Sequence, residues 1–136
     1  MKIVVSACLM GESCKYNGLD NYRRELVEAC ERTGTEVLLV CPEVFGGLPT
    51  PRKPSEIVDG EVRTREGVSV DREFRLGAQR ALDMCEQAGG SDEIAACILQ
   101  DRSPSCGAGR IYDGTFSGKL TAGNGVFVDL LLRNGY

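Results

Sequence analysis

The sequence predicts a three-layer, Rossmann-like α/β domain with a short, mainly parallel sheet and a small hairpin addition. Three observations lead there. Apolar runs of strand length at residues 2–7, Glu36–Val40 and Ile94–Leu99 alternate with amphipathic stretches of helical length. Those runs are nearly all apolar, as strands covered on both faces are. The first two are joined by a single helical stretch, and such a strand–helix–strand unit closes right-handed into a parallel pair.

Taken in order, residues 2–7 form the first strand, and the turn Cys8–Asp20 comes next, broken at Gly11, Asn17 and Gly18. Asp20 or Asn21 is expected to cap a helix running to Gly34, with Leu26, Val27 and Cys30 on its apolar face. The second strand ends at Val40. Residues Val44–Pro54, rich in glycine and proline, read as a long functional loop. Ile57–Arg63 reads as a hairpin turning at Asp59-Gly60. A helix is expected from a cap at Asp71 to Ala88, stopped by Gly89-Gly90, with Phe74, Leu76, Ala78, Ala81, Leu82 and Cys85 along its packed face. The third strand, Ile94–Leu99, is expected to be buried. Residues Ile111–Phe116 form a turn or hairpin, and Gly125–Gly135 a final helix. Residues 1–136 are expected to form one domain.

Composition narrows the chemistry. A formal net charge of −4 gives no sign of a nucleic-acid surface. No apolar run approaches the length of a bilayer span, and the start Met1-Lys2-Ile3-Val4-Val5 reads as a strand rather than a signal, so a cytoplasmic location is expected. The chain has no histidine. That removes Ser/His and Cys/His pairs and His-ligated zinc, and leaves proton transfer to carboxylates, lysine, tyrosine or metal-bound water.

Seven cysteines in a chain of this kind point to metal or thiol chemistry before disulfides. Cys30, Cys85 and Cys97 sit in helix or strand patterns and read as small packing residues. The others differ. Each predicted strand runs into a cysteine set among turn residues: Cys8, then Cys41 before Pro42-Glu43, then Cys106 within Ser103-Pro104-Ser105-Cys106-Gly107. In an open parallel sheet, ligands bind beyond the carboxyl ends of the strands. Strands lie about 5 Å apart, so three such cysteines converge on one centre. Zinc with Cys14 or Glu43 as a fourth ligand is one occupant, although no CxxC knuckle is present. An iron–sulfur cluster is another; three cysteine ligands leave one iron open, and Cys14 as a fourth would close it. The stretch from Cys8 to Lys15 also approaches the phosphate loop of cysteine-dependent phosphatases, but Cys14 stands where that loop has arginine.

Ser6-Ala7-Cys8-Leu9-x-Gly11, Cys41-Pro42-Glu43-x-x-Gly46-Gly47-Leu48, Pro51-Arg52, Ser103-Pro104-Ser105-Cys106-Gly107 and Tyr112-Asp113-Gly114-Thr115-Phe116 together resemble a small bacterial family, first catalogued as domain of unknown function 523. Some of its members are 2-thiouracil desulfurases. The resemblance spans essentially the whole chain. It implies a [4Fe-4S] cluster on Cys8, Cys41 and Cys106, with Cys14 left outside the ligand set, and non-redox removal of sulfur from a thiolated pyrimidine. Within that implied chemistry Glu43 is the expected base for the attacking water. Ser103 and Ser105 are expected to hydrogen-bond substrate or cluster, Arg52 to hold the loop or the base edge, and Tyr16 to stack on the base. A cluster- or zinc-binding protein without catalysis, such as a sulfur or redox sensor, is the alternative.

Overall fold

The computed structural model describes residues 1–136. Its central sheet is short and fully parallel, with β1 (Lys2–Ser6) between β2 (Glu36–Val40) and β5 (Ile94–Ile98). Strand β1 pairs with β2 from Lys2 opposite Glu36 to Ser6 opposite Val40. On its other side β1 pairs with β5, the register slipping by one residue after Lys2. Helix α1 (Arg24–Thr33) forms the crossover between β1 and β2. It ends at Gly34, whose φ of 65° is the left-handed conformation that closes a helix.

The alternation of side chains along β1 sets the three layers. Ile3 and Val5 face one way and pack with Leu9, Cys30 and Leu26 under α1. Val4 faces the other way into the main core, built with Val40, Phe74, Leu82 and Phe127 from β2, α3 (Asp71–Gln87) and α4 (Val126–Arg133). Two hairpins lie outside the sheet: β3 (Ser55–Val58) with β4 (Glu61–Thr64), and β6 (Arg110–Tyr112) with β7 (Leu120–Ala122). The β3–β4 turn has positive φ at both Asp59 and Gly60, as a two-residue hairpin turn requires. No helix is long and apolar enough to cross a membrane.

Several local expectations change. Helix α1 starts at Arg24 rather than at an Asp20 or Asn21 cap. Asp20 instead accepts the Tyr22 N–H, and Asn21 turns back to Cys8. Val44 and Phe45, at the start of the expected Val44–Pro54 loop, belong instead to a short helix, α2 (Pro42–Phe45), for which proline at the first helical position is well suited. Asp71 is the first residue of α3 rather than its cap, because its carboxylate accepts the Val62 N–H of the neighbouring hairpin. Leu76 points outward at 41% exposure. The third strand is an exposed edge: Ala95, Ala96 and Ile98 are open to solvent, since no helix covers the far side of β5. Apolar composition there is indistinguishable from that of a buried strand. Cys30 and Cys85 are buried within the packing and Cys97 is half-buried.

Two contacts anchor the segments beyond the strands. Helix α2 crosses α3 at Gly46 and Gly77; a Cβ at Gly46 would collide with the Glu73 carbonyl, and one at Gly77 with that of Pro42. Separately, the first N–H groups of α4, from Val126 and Phe127, donate to the carbonyls of Pro104 and Ser105 at 2.8 and 3.0 Å. Helix ends leave those donors unpaired otherwise, so the loop carrying Cys106 is seated on the start of α4.

Candidate active site

All nine residues singled out in the sequence line one cavity of about 470 Å³ at the carboxyl end of the sheet. Cys8 is buried in the single helical turn Ala7–Met10 after β1, and Cys41 is half-buried between β2 and α2. Cys106 is buried in the loop before β6. Register explains the convergence: Ser6 and Val40 end β1 and β2 side by side, and Val5 faces Ile98 at the end of β5. Cys14, half-buried, stands against both Cys8 and Cys41.

The thiols are not equivalent. The Cys14 S–H directed at Cys8 draws that thiol down to about 7 against the opposing effect of burial, with the Asn21 amide helping. Cys41 falls to about 7 for the same first reason, with the Val44 N–H and the Arg52 charge contributing. The cost is borne by Cys14, whose own thiol is pushed far up because its single S–H is shared between Cys41 and Cys8. Burial pushes Cys106 up to about 12, only partly offset by the Ser6 hydroxyl. Metal ligation needs thiolates; Cys8 and Cys41 are close to that state at neutral pH, and Cys106 needs a positive charge delivered to it.

Beside the thiols runs a continuous polar network. Glu43, in the first turn of α2, accepts the Arg52 Nε–H at 3.0 Å on one carboxylate oxygen and the Ser105 hydroxyl at 2.8 Å on the other. Because the Ser105 proton goes to Glu43, the Ser103 hydroxyl 3.0 Å away donates to Ser105. The Ser103 oxygen in turn accepts the N–H groups of Ser105 and Cys106 at 3.1 and 2.8 Å, which tightens the turn around the cysteine. The Ser105 oxygen also lies 3.7 Å from the Cys106 sulfur.

Arg52 is an internal strut, its side chain only 7% exposed. Its guanidinium also donates to the carbonyls of Cys14 at 2.8 Å and Pro49 at 3.2 Å, and to the Thr50 hydroxyl at 3.0 Å. Its main-chain N–H reaches the Tyr16 carbonyl at 2.6 Å. The loop bearing Cys14 and Tyr16 is thus latched to the loop bearing Arg52. The Tyr16 ring itself is 44% exposed on the cavity wall, outside the core.

Sequence reasoning missed part of the lining. Glu56 of the β3–β4 hairpin is 9% exposed and accepts the N–H groups of Gly114 and Phe116, at 2.9 and 3.2 Å. That clamp hangs Phe116 and Tyr112 over the cavity, where Arg65 and Arg102 face their rings at 5.8 and 6.0 Å. The β3–β4 hairpin therefore forms a wall of the site. Asn21 was missed because its type and position also suit a helix cap. Its side-chain N–H lies 3.7 Å from the Cys8 sulfur.

Comparison with known proteins agrees over nearly the full length. The sequence profile of the 2-thiouracil desulfurase family matches residues 3–136. An uncharacterized protein of Bacillus subtilis (strain 168), YbbK, is 37% identical over 144 aligned positions, covering 98% of this chain and 91% of the relative. Among solved structures, the [4Fe-4S]-dependent thiouracil desulfidase TudS superposes with a TM-score of 0.88 at 44% identity, over 98% of this chain and 86% of that one.

Proposed function

This chain belongs to the 2-thiouracil desulfurase family, and from that premise we propose that it is an iron–sulfur enzyme that replaces the sulfur of a thiolated pyrimidine such as 2-thiouracil by oxygen. Water adds, hydrogen sulfide leaves, and no electrons are transferred overall. The observation that carries the reading is the convergence of Cys8, Cys41 and Cys106 with the Glu43 carboxylate on one cavity.

The donor set fits a cluster. It is all sulfur, which suits iron–sulfur centres, and it comes from three separate elements. Cys8, Cys41 and Cys106 would hold a [4Fe-4S] cluster. Bound there, it supplies an open iron, a Lewis acid toward the thiocarbonyl sulfur that leaves the adjacent ring carbon electron-poor.

The chain's own residues do the rest. Glu43 takes a proton from the attacking water, the task of a positioned carboxylate where no histidine exists. Ser105 and Ser103 hold that carboxylate toward the cavity through their hydroxyl chain. A guanidinium has five N–H donors; Arg52 uses four on Glu43, Cys14, Pro49 and Thr50, which leaves one for the edge of the base. The Tyr16 ring offers a stacking face at the cavity wall. Residues 1–136 act as one desulfurase-like domain in the cytoplasm, the reducing compartment in which free cysteines persist.

Protein prepared without oxygen is expected to contain iron and acid-labile sulfide in near-equal amounts and to convert 2-thiouracil to uracil with release of sulfide. Zinc in place of iron would overturn the cluster. A loaded cluster with no sulfide released would overturn the reaction and favour a sensor.

A further inference from the structure

We propose that Asn21 is a positioning residue of the cluster site, acting through the sulfur of Cys8. The proposal deepens the desulfurase reading and rests on it. Asn21 touches Cys8 twice. Its main-chain N–H donates to the Cys8 carbonyl at 2.9 Å, and its side-chain amide N–H points to the Cys8 sulfur at 3.7 Å. Two residues on, the Arg23 N–H donates to the Leu9 carbonyl at 2.8 Å. These bonds close the base of the loop that carries Cys14 and Tyr16, whose far side is held by Arg52. Asn21 also lines the cavity.

The two contacts have separate effects. The main-chain bond fixes where the Cys8 sulfur stands, and any residue but proline provides it. The amide contact is chemical. An N–H donated to a ligating thiolate withdraws negative charge from that sulfur, and such bonds are among the levers that set a cluster's reduction potential. A less electron-rich ligand leaves the iron a stronger Lewis acid toward the thiocarbonyl sulfur. Cys41 has the Val44 N–H, whereas the Ser105 hydroxyl beside Cys106 is turned to Glu43. Asn21 supplies the equivalent contact at Cys8. A helix cap would have no reason to face a sulfur, and α1 begins beyond Asn21.

The test is a redox titration of the anaerobically reconstituted wild type, Asn21→Asp and Asn21→Ala, followed by electron paramagnetic resonance, with iron and sulfide measured in each. Asn21→Asp keeps the main-chain bond and the side-chain shape but replaces the donor by a negative acceptor. With wild-type iron content, its potential is expected to shift lower, and that of Asn21→Ala lower by a smaller amount. Iron lost from a folded Asn21→Asp, judged by an unchanged melting temperature without metal, also supports the proposal, because a carboxylate then repels the ligand. A full cluster with an unchanged potential in Asn21→Asp overturns it; should Asn21→Ala fail to fold, Asn21→Asp decides alone. A wild type that binds no iron overturns the cluster reading itself, and this proposal with it.

Discussion

The Glu43 carboxylate meets the Arg52 guanidinium at 3.0 Å with side-chain exposures of only 16% and 7%. A surface ion pair contributes little, but this one is largely shielded and joins three loops. Through Glu43 it reaches Ser105 beside Cys106, and through Arg52 it reaches the Cys14 carbonyl. Removing one member leaves the other's charge uncompensated. Arg52→Gln is expected to cost about 3 kcal/mol, the lower end for a broken buried pair, read as a fall in the urea midpoint. Arg52→Lys, which keeps the charge but not the fork, is expected to fall between the two. An unchanged midpoint in Arg52→Gln would show that the pair is no strut.

Glu43→Gln removes the proton acceptor and also the charge that pairs with Arg52, so its urea midpoint is expected to fall as in Arg52→Gln and turnover is compared per folded, cluster-loaded protein. The amide retains an oxygen for the Arg52 N–H and occupies the same space, but it cannot accept a proton from water. Turnover is expected to fall about 10²–10⁴-fold, the usual contribution of a general base. Iron content should remain that of the wild type. Wild-type turnover would remove Glu43 from the chemistry.

Cys14 stands against Cys8 and Cys41 without belonging to the proposed ligand set. Cys14→Ser is expected to retain iron and sulfide, whereas Cys106→Ser loses both. Equal losses in the two variants would make Cys14 a fourth ligand and leave no iron open to substrate.

The Gly46–Gly77 crossing has a measurable consequence for Glu43. Gly77→Ala adds a Cβ into the Pro42 carbonyl, one residue before Glu43. The expected cost is about 1–3 kcal/mol, as for other overpacked sites, together with reduced turnover because α2 shifts. Loss of stability with turnover per cluster intact would show that Glu43 does not depend on this crossing.

A pH effect is expected at the hairpin wall. Burial alone would raise the Asp71 carboxyl, but the Arg75 guanidinium and the Val62 N–H hold it below its ordinary 3.8. A depressed acid binds its proton more weakly in the folded state. Its stabilisation is therefore present above the unfolded value and lost as pH falls through the folded one. The stability difference between wild type and Asp71→Asn should be full at neutral pH and shrink in that acid window. A difference that stays constant with pH would mean that the Asp71 charge does not support the hairpin.

Much of this architecture was legible in the chain. Period and apolar content identify β1, β2, α3 and α4, and Asp59-Gly60 locates the β3–β4 turn. The features that were not legible depend on neighbours. The exposure of Ala95, Ala96 and Ile98 results from β5 being an edge, and strand order is not written in any one strand. Asn21 and Asp71 looked like caps because the short polar side chains that cap helices also suit other partners; a sulfur claims one and a hairpin N–H the other.

By itself the sequence determined the chemical inventory: cysteines after strand ends, no histidine, a carboxylate close to Cys41, and serines around Cys106. These are local facts, governed by residue type and by periods of a few positions. Tertiary structure alone decided that Ser105 reaches Glu43 across 62 positions of chain, that Arg52 is an internal strut, and that Glu56 hangs Phe116 over the cavity. Hydrogen bonds between distant segments are short-ranged and directional. They exist only after β1, β2 and β5 have been set in register and α2 has settled on α3, which is why the wiring between the cysteine corners had to be seen in three dimensions.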